Sequence, residues 1–327
     1  MPIRRRDLLA TLPLLPAAAQ AQAQNAPPTW APDRPIRLLV GFAAGGSTDT
    51  TARIIGQAIT AGLGQNVIIE NRTGAGGNVA SEHVARSPAD GYTLMVGGMG
   101  THAANQALYR DLSFHVVRDF APVSLIALSH VLLVVHPSVP VRTVPELIAL
   151  AKERPGGLNA GTGGGGTSQH FAASVFEHLT GVKFTMVHYR GGAPAAADLV
   201  SGRVELVFAP TVEVLEQVRA GKLRPIATSR QGRLPVLPEV PAIAESVPGY
   251  EFLSWLGVFA PAGTPAPVVA RLSREIAAAV RRPEISERME ALGYEPVGST
   301  AEEFAAFQVA EVAKAAEIVR ISGAAVN

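Results

Sequence analysis

Ile36-Arg-Leu-Leu-Val-Gly-Phe-Ala-Ala-Gly-Gly-Ser-Thr-Asp49 is the stretch that decides how this chain folds. Its first seven residues form a short apolar run, the pattern of a strand covered on both faces. Gly45-Gly46-Ser47-Thr48-Asp49 then turns the chain into a helix, whose apolar positions Ala52, Ile55, Ile59 and Leu63 recur three or four residues apart. Gly62 and Gly64 end it. The same unit follows at once: Val67-Ile-Ile-Glu70 reads as a strand, Gly74-Ala-Gly-Gly77 opens a helix reaching about Arg86, and residues 92–97 form a third strand. The order βαβαβ predicts a parallel, doubly wound sheet with right-handed crossovers.

A second series begins near Val131. Leu132-Leu-Val-Val135 is a strand, and Thr143-Val-Pro145-Glu146 opens a helix with proline in its first turn. A very glycine-rich loop at 159–166 leads into a helix over 169–178. Further strands are expected at 184–189, 206–209, 225–228 and 258–260. Two amphipathic helices close the chain, one carrying Val268, Leu272, Ile276 and Val280, the other Phe304, Phe307, Val312 and Val319. This terminal segment has too few strands for a third domain, so its helices are expected to return to the first unit. The reading is an α/β fold of two lobes, each a mostly parallel sheet flanked by helices. Residues 35–130 and 257–327 make the first lobe and 131–256 the second, joined by a hinge of two crossovers with a cleft between the lobes.

The bulk properties narrow the function. The chain has 327 residues, with 28 basic against 27 acidic side chains, a balance that argues against a nucleic-acid partner. It has no cysteine, which excludes disulfides, thiolate metal sites and cysteine nucleophiles. At the amino terminus, Arg4, Arg5 and Arg6 precede a short apolar stretch, and small residues stand in A-x-A spacing at Ala19, Ala21 and Ala23. This is the layout of a secretory leader over residues 1–23, followed by an unpacked lead-in at 24–34. Pro13 and Pro16 interrupt the apolar run, which is too short to span a bilayer. The Arg-Arg-Asp-Leu-Leu run is also that of a twin-arginine leader, so either export route is open. Periplasmic residence is the expectation.

Three loops share one composition. Residues 41–49, 73–78 and 161–168 are small, rich in glycine, and each directly precedes a helix. Glycine lets backbone approach a ligand closely, and a helix start offers unpaired N–H groups and roughly half a positive charge. Together they can hold an anion without lysine or arginine; alternatively they are tight turns that need glycine for geometry and Ser, Thr or Asp for capping. Asp49 either ties the first loop down or orients its amides toward a ligand. His170, in the first turn after the third loop, and Arg190, at a strand end, either face the cleft or serve packing and surface roles. Gly161-Thr-Gly163-Gly-Gly-Gly166 matches a dinucleotide fingerprint only formally, because no acidic residue ends the following strand. Neither a nucleophile motif nor a metal-ligand spacing is present. No catalysis, no cofactor and no metal are expected.

Several ordered segments carry a resemblance to a known family: Phe42-Ala-Ala-Gly-Gly-Ser-Thr-Asp49, Glu70-Asn-Arg-Thr-Gly-Ala-Gly-Gly77, Ala89-Asp-Gly-Tyr-Thr-Leu94, Thr101 with Asn105, residues 161–170, Tyr189-Arg-Gly-Gly192, Leu237-Pro-Glu-Val-Pro241, Trp255-Leu-Gly and Ala260-Pro-Ala-Gly-Thr-Pro265. The chain resembles the substrate-binding proteins of tripartite tricarboxylate transporters, the Bug or TctC-like family. The resemblance implies a type II periplasmic-binding-protein fold that closes on a small carboxylate and passes it to integral-membrane transporter subunits, as a monomer. Carried onto this sequence, the ligand-binding residues are Phe42, Gly45, Gly46, Ser47, Asp49 and Thr101 in the first lobe. In the second they are Thr162, Thr167, His170, Tyr189 and Gly191. An exported sensor that feeds a two-component signalling system is the alternative reading.

Overall fold

A computed structural model of the chain describes residues 30–322. The leader at 1–23 and the lead-in up to residue 29 lie outside the described residues, as do residues 323–327. In chain order the first part comprises β1 (Ile36–Val40), α1 (Ser47–Leu63), β2 (Val67–Asn71), α2 (Asn78–Ala85) and β3 (Thr93–Gly98). A π-helical turn at Gly100–Ala104 leads into the short α3 (Asn105–Leu108), and then comes β4 (Phe120–Ser129). The middle part holds β5 (Val131–Val135), α4 (Val144–Glu153), β6 (Asn159–Thr162), α5 (Ser168–Thr180), β7 (Thr185–His188), α6 (Gly192–Val200), β8 (Leu206–Pro210), α7 (Thr211–Arg219) and β9 (Arg224–Thr228). β10 (Ser254–Pro261), α8 (Ala266–Val280), α9 (Pro283–Ala291), β11 (Tyr294–Pro296) and α10 (Ala301–Ser322) complete it.

The strands form two sheets, ordered β11-β4-β10-β3-β1-β2 and β7-β6-β8-β5-β9. The expected two-lobed α/β fold is thus the one the chain adopts, but its sheets are mixed rather than mostly parallel. β1 runs parallel to β2 and β3, whereas β10 runs antiparallel to β3 and β4, and β11 antiparallel to β4. In the second sheet β6 is parallel to β7 and β8, and β5 is antiparallel to β8 and β9. The cause is the double crossing: strands that carry the chain out of and back into a lobe do not belong to βαβ units, and nothing forces them parallel.

Both faces of each sheet are covered. In β1, Leu39 points into a cluster with Met95, Phe259 and Phe304, while Ile36, Leu38 and Val40 point the other way, into a cluster with Ile55, Ile59 and Leu272. That is period-2 alternation with apolar residues on both faces. The first of these clusters continues into the second lobe through Trp255, Tyr250, Phe171, Phe176 and Phe208. At the hinge only His130 separates β4 from β5, and Ser129 pairs with Ser254, so the two crossings run side by side. β10 joins the first sheet from Ser254 onward, so Ser254, Trp255 and Leu256 are first-sheet residues, earlier than the sequence boundary at 256/257.

The lead-in is packed where it is described. Trp30 meets the Tyr92 ring edge-on at 5.7 Å, the Asp33 amide donates to Tyr92 Oη at 3.0 Å, and Arg34 pairs with Asp90 at 2.9 Å. A large apolar ring beside an exposed sheet end is buried more readily than left in water. Among the described residues, no helix is long and apolar enough to cross a membrane.

Candidate functional site

The helix starts of both lobes meet at one cavity between the sheets. It lies beyond the carboxyl ends of β1, β3, β6 and β8, where strands give way to turns and helices. Ser47 and Thr48 open α1, Gly100 and Thr101 open the π-helical turn, Ser168 and Gln169 open α5, Gly192 opens α6, and Pro210 with Glu213 opens α7; all of these line it. Phe42, Met99, Trp255 and Leu256 supply apolar wall. None of the described lining residues is lysine or arginine. Positive potential here therefore comes from backbone N–H groups and helix dipoles alone.

The cleft is shut, and glycine is what lets it shut. On one flank the Ala43 amide donates to the Arg190 carbonyl at 3.2 Å, beside Gly191, whose φ is +136°. On the other flank a methyl group placed on Gly100 would lie 2.4 Å from Gly166 O, and one on Gly76 would lie 2.9 Å from Gly165 O. Gly165 and Gly166 of the glycine run thus form a seam where second-lobe backbone meets first-lobe backbone at Gly76 and Gly100, with the first-lobe side chains of Asn105, Leu108 and Tyr109 packed around it.

The residues singled out from the sequence fall into two groups. Phe42, Gly46, Ser47, Thr101 and Thr167 line the cavity. Thr101 is buried, its Oγ1 accepting from the Gly98 amide at 3.1 Å, and Thr167 caps α5 while its hydroxyl donates to Gly164 O at 2.8 Å. The remaining six stand behind the lining. The Gly45 amide donates to Asp49 Oδ2 at 2.9 Å, so that donor is already taken. Thr162 Oγ1 accepts from the Gly164 amide at 3.2 Å and meets His188 Nδ1 at 2.6 Å. Tyr189 Oη donates to Asp198 Oδ2 at 2.8 Å, and burial together with Asp198 raises its phenol to about 12. His170 Nδ1 accepts from the Gly166 amide at 3.2 Å. Burial, helped by His188, depresses this imidazole to about 4, so at neutral pH it braces the glycine loop as an uncharged acceptor. Gly191 precedes α6 at the flank seam, and the Arg190 side chain is exposed. Of the three glycine loops, 73–78 packs against the first loop, at Gly41, and does not line the cavity.

Asp49 is the tie of the first loop. It is buried, accepts from Gly45, and accepts from Asn71 Nδ2 at 3.0 Å and Arg53 Nε at 2.8 Å, while Asn71 also donates to Phe42 O. Burial pushes its carboxyl up, but the hydrogen bonds from Arg53, Gly45 and Asn71 outweigh that and hold it below the usual carboxylate range. Asp49→Ala leaves the Gly45 amide and Arg53 without their acceptor and removes one of the two that Asn71 Nδ2 serves, leaving Phe42 O. Calorimetric titration of that variant is expected to show ligand affinity reduced roughly tenfold, about 1.4 kcal/mol, with its circular-dichroism spectrum unchanged.

Gln169 and Gly192 fall inside quoted motifs without being singled out as ligand-binding, and Glu213 falls in none. Their shared signal is position: each sits in the first turn of a helix that leaves the same edge of the second sheet. Glu213 Oε1 accepts from the Ser47 amide at 2.9 Å, and its Oε2 accepts from Gln169 Nε2 at 2.7 Å. It is part-buried, and what stays accessible faces the cavity. Burial raises its carboxyl to about 7, against the hydrogen bonds from Ser47 and Gln169 that lower it.

Comparison with known proteins agrees with this geometry. Residues 51–323 match the model of the tripartite tricarboxylate transporter family receptor. The protein BugT of Bordetella pertussis is 34% identical over 319 residues, covering 97% of this chain and 98% of its own. Two solved structures from Rhodopseudomonas palustris superpose closely. Rpa4515 with adipate is 38% identical with a TM-score of 0.87, spanning 90% of this chain and 99% of that one. MatC (Rpa3494) with bound malate is 33% identical with a TM-score of 0.84, spanning 88% and 99%.

Proposed function

The chain belongs to the tripartite tricarboxylate transporter receptor family, and from that premise we propose that it is an exported binding protein that encloses a small carboxylate and delivers it to the membrane subunits of such a transporter. Proteins of this family are periplasmic solute receptors. The observation that carries the reading is the cavity itself: set between the two sheets, walled by Phe42, Met99, Trp255 and Leu256, and ringed by the starts of α1, α5, α6 and α7 with no cationic side chain among its described lining. Such a space suits a ligand with an anionic head and a short apolar body. An exposed ammonium or guanidinium would attract inorganic anions as well; oriented amides in a dry recess discriminate by shape and distance.

Uptake is a closure reaction. The open form presents the α1 amides, and a carboxylate bound there meets the α5 and α6 starts only when the lobes shut, so it favours the closed state by its extra contacts. The closed state is the one the membrane subunits would read. The relatives' ligands, adipate and malate, define the first compounds to test. The leader implied by residues 1–23 would place the protein in the periplasm, where it would work as a monomer and carry out no chemical step.

Thermal-shift and calorimetric titration of the purified chain with adipate, malate and a wider panel of mono-, di- and tricarboxylates tests the reading. At least one compound should bind with micromolar or better affinity and raise the thermal midpoint, by RT ln(1 + [L]/Kd) in free energy. Uptake of that compound by cells carrying the cognate membrane subunits should require this protein. A panel without a single binder, or uptake indifferent to the protein, overturns the proposal.

A further inference from the structure

Glu213 brings a carboxylate of the second lobe onto the start of a first-lobe helix. We propose that Glu213 is an internal occupant of the ligand's carboxylate seat, latching the lobes together when the cavity is empty and leaving the Ser47 amide when a ligand carboxylate arrives. The inference rests on the reading that this cavity receives a carboxylate, and it adds which residue the ligand must displace.

The seat is cut to the shape of a carboxylate. A methyl group on Gly192 would lie 2.0 Å from Glu213 Oε2, and one on Gly46 would lie 3.3 Å from Oε1. The two helix starts are thus bare of side chains at the place where the carboxylate oxygens rest. Ser47 N–H and Gln169 Nε2 supply one donor to each oxygen, at 2.9 and 2.7 Å. Tyr294, on β11, donates its hydroxyl to Ser47 O at 2.9 Å and steadies the strand-to-helix turn from behind.

The contact is costly as it stands, which is what makes it displaceable. Among the described residues Glu213 is held by the uncharged donors of Ser47 and Gln169 and by no cation, and burial pushes its carboxyl up to about 7. Gln169 Oε1 is buried without a hydrogen-bond partner. A cap that α1 needed at all times would come from its own lobe, because one supplied by α7 is lost whenever the lobes part; the α1 N-cap, Gly46, provides no side chain. Glu213 is therefore bound to closure rather than to helix stability.

Two variants and two readouts decide the matter, with adipate as the probe. Small-angle scattering of the unliganded protein should show a larger radius of gyration for Glu213→Ala than for the natural chain, because the empty closed form loses its latch. Calorimetry at pH 8, where the carboxyl is ionised, should show Glu213→Gln binding adipate about tenfold more tightly, because the competing charge is gone. Identical scattering of the two unliganded proteins refutes the latch, and weaker adipate binding by Glu213→Gln refutes the displacement by making Glu213 a ligand contact. If adipate binds neither protein, the functional reading for that compound fails while the scattering comparison still decides the latch.

Discussion

Gly100→Ala is expected to weaken ligand binding about a hundredfold while both lobes stay folded. The added methyl would lie 2.4 Å from the Gly166 carbonyl oxygen, across the cleft. A carbonyl in the opposite backbone cannot rotate aside as a flexible side chain does, so the lobes must stop short of full closure. Gly100 opens a helical turn and has no left-handed backbone requirement, so alanine costs nothing locally. The loss falls on closure: a ligand held by first-lobe amides forfeits those of α5 and α6, and a hundredfold corresponds to about 2.7 kcal/mol. Calorimetric affinity together with the radius of gyration of the ligand-saturated protein checks this. A variant that binds normally and compacts normally contradicts the seam.

Phe304→Ala is the second large effect, and it falls on stability. Phe304 is wholly buried in α10, edge-on to Trp255 at 5.8 Å and tilted against Phe259 at 4.9 Å. Its ring fills the space above Gly257, where a methyl would approach to 2.2 Å. Truncating such a side chain removes its transfer free energy and leaves a cavity, about 3–5 kcal/mol. In a chain of this size that lowers the thermal midpoint by about 5–8 °C. Gln308, one turn on, is held by the carbonyls of His102 and Val116, at 3.0 and 2.8 Å. Gln308 thus ties the C-terminal helix to the first lobe, and the same helix also packs against α5 of the second. A midpoint shifted by less than 2 °C, measured without ligand, contradicts that placement.

Much of this was legible in the sequence because local chemistry and global fold agree. Ile36 to Val40 alternate apolar residues onto two covered faces, Gly64 ends α1 in the left-handed conformation, and Pro145 stands in the first turn of α4; each local signal survives in the structure. β4 was not anticipated. Its run from Phe120 to Ser129 contains Pro122, which argues against a central strand, yet Pro122 sits where the pairing with β10 slips register between Val258 and Phe259. The bulge absorbs the missing donor. The direction of β5 and β10 was equally hidden, since periodicity carries no information about which way a paired strand runs.

The site was legible only in part, for a different reason. Glycine-rich helix starts announce themselves by composition, and Gly46, Ser47 and Thr167 do line the cavity. Glu213 belongs to no motif, and a lone acidic residue in a first helical turn ordinarily just complements the dipole. Its meaning comes from the 166 residues that separate it from Ser47, closed to 2.9 Å by the hinge. Gly45, Asp49, His170 and Tyr189 carry the opposite lesson: each lies near the cleft in sequence pattern, and each spends its polar atoms on holding a loop or a strand end in place.

A crystal structure of the mature protein bound to the tightest compound of the carboxylate panel tests the central claim most directly. The account predicts a ligand carboxylate within about 3 Å of the Ser47 amide, enclosed by the starts of α5 and α6, with Glu213 turned away and no lysine or arginine in contact. A ligand anchored on a cationic side chain, or lodged outside the cleft while Glu213 still accepts from Ser47, would contradict it.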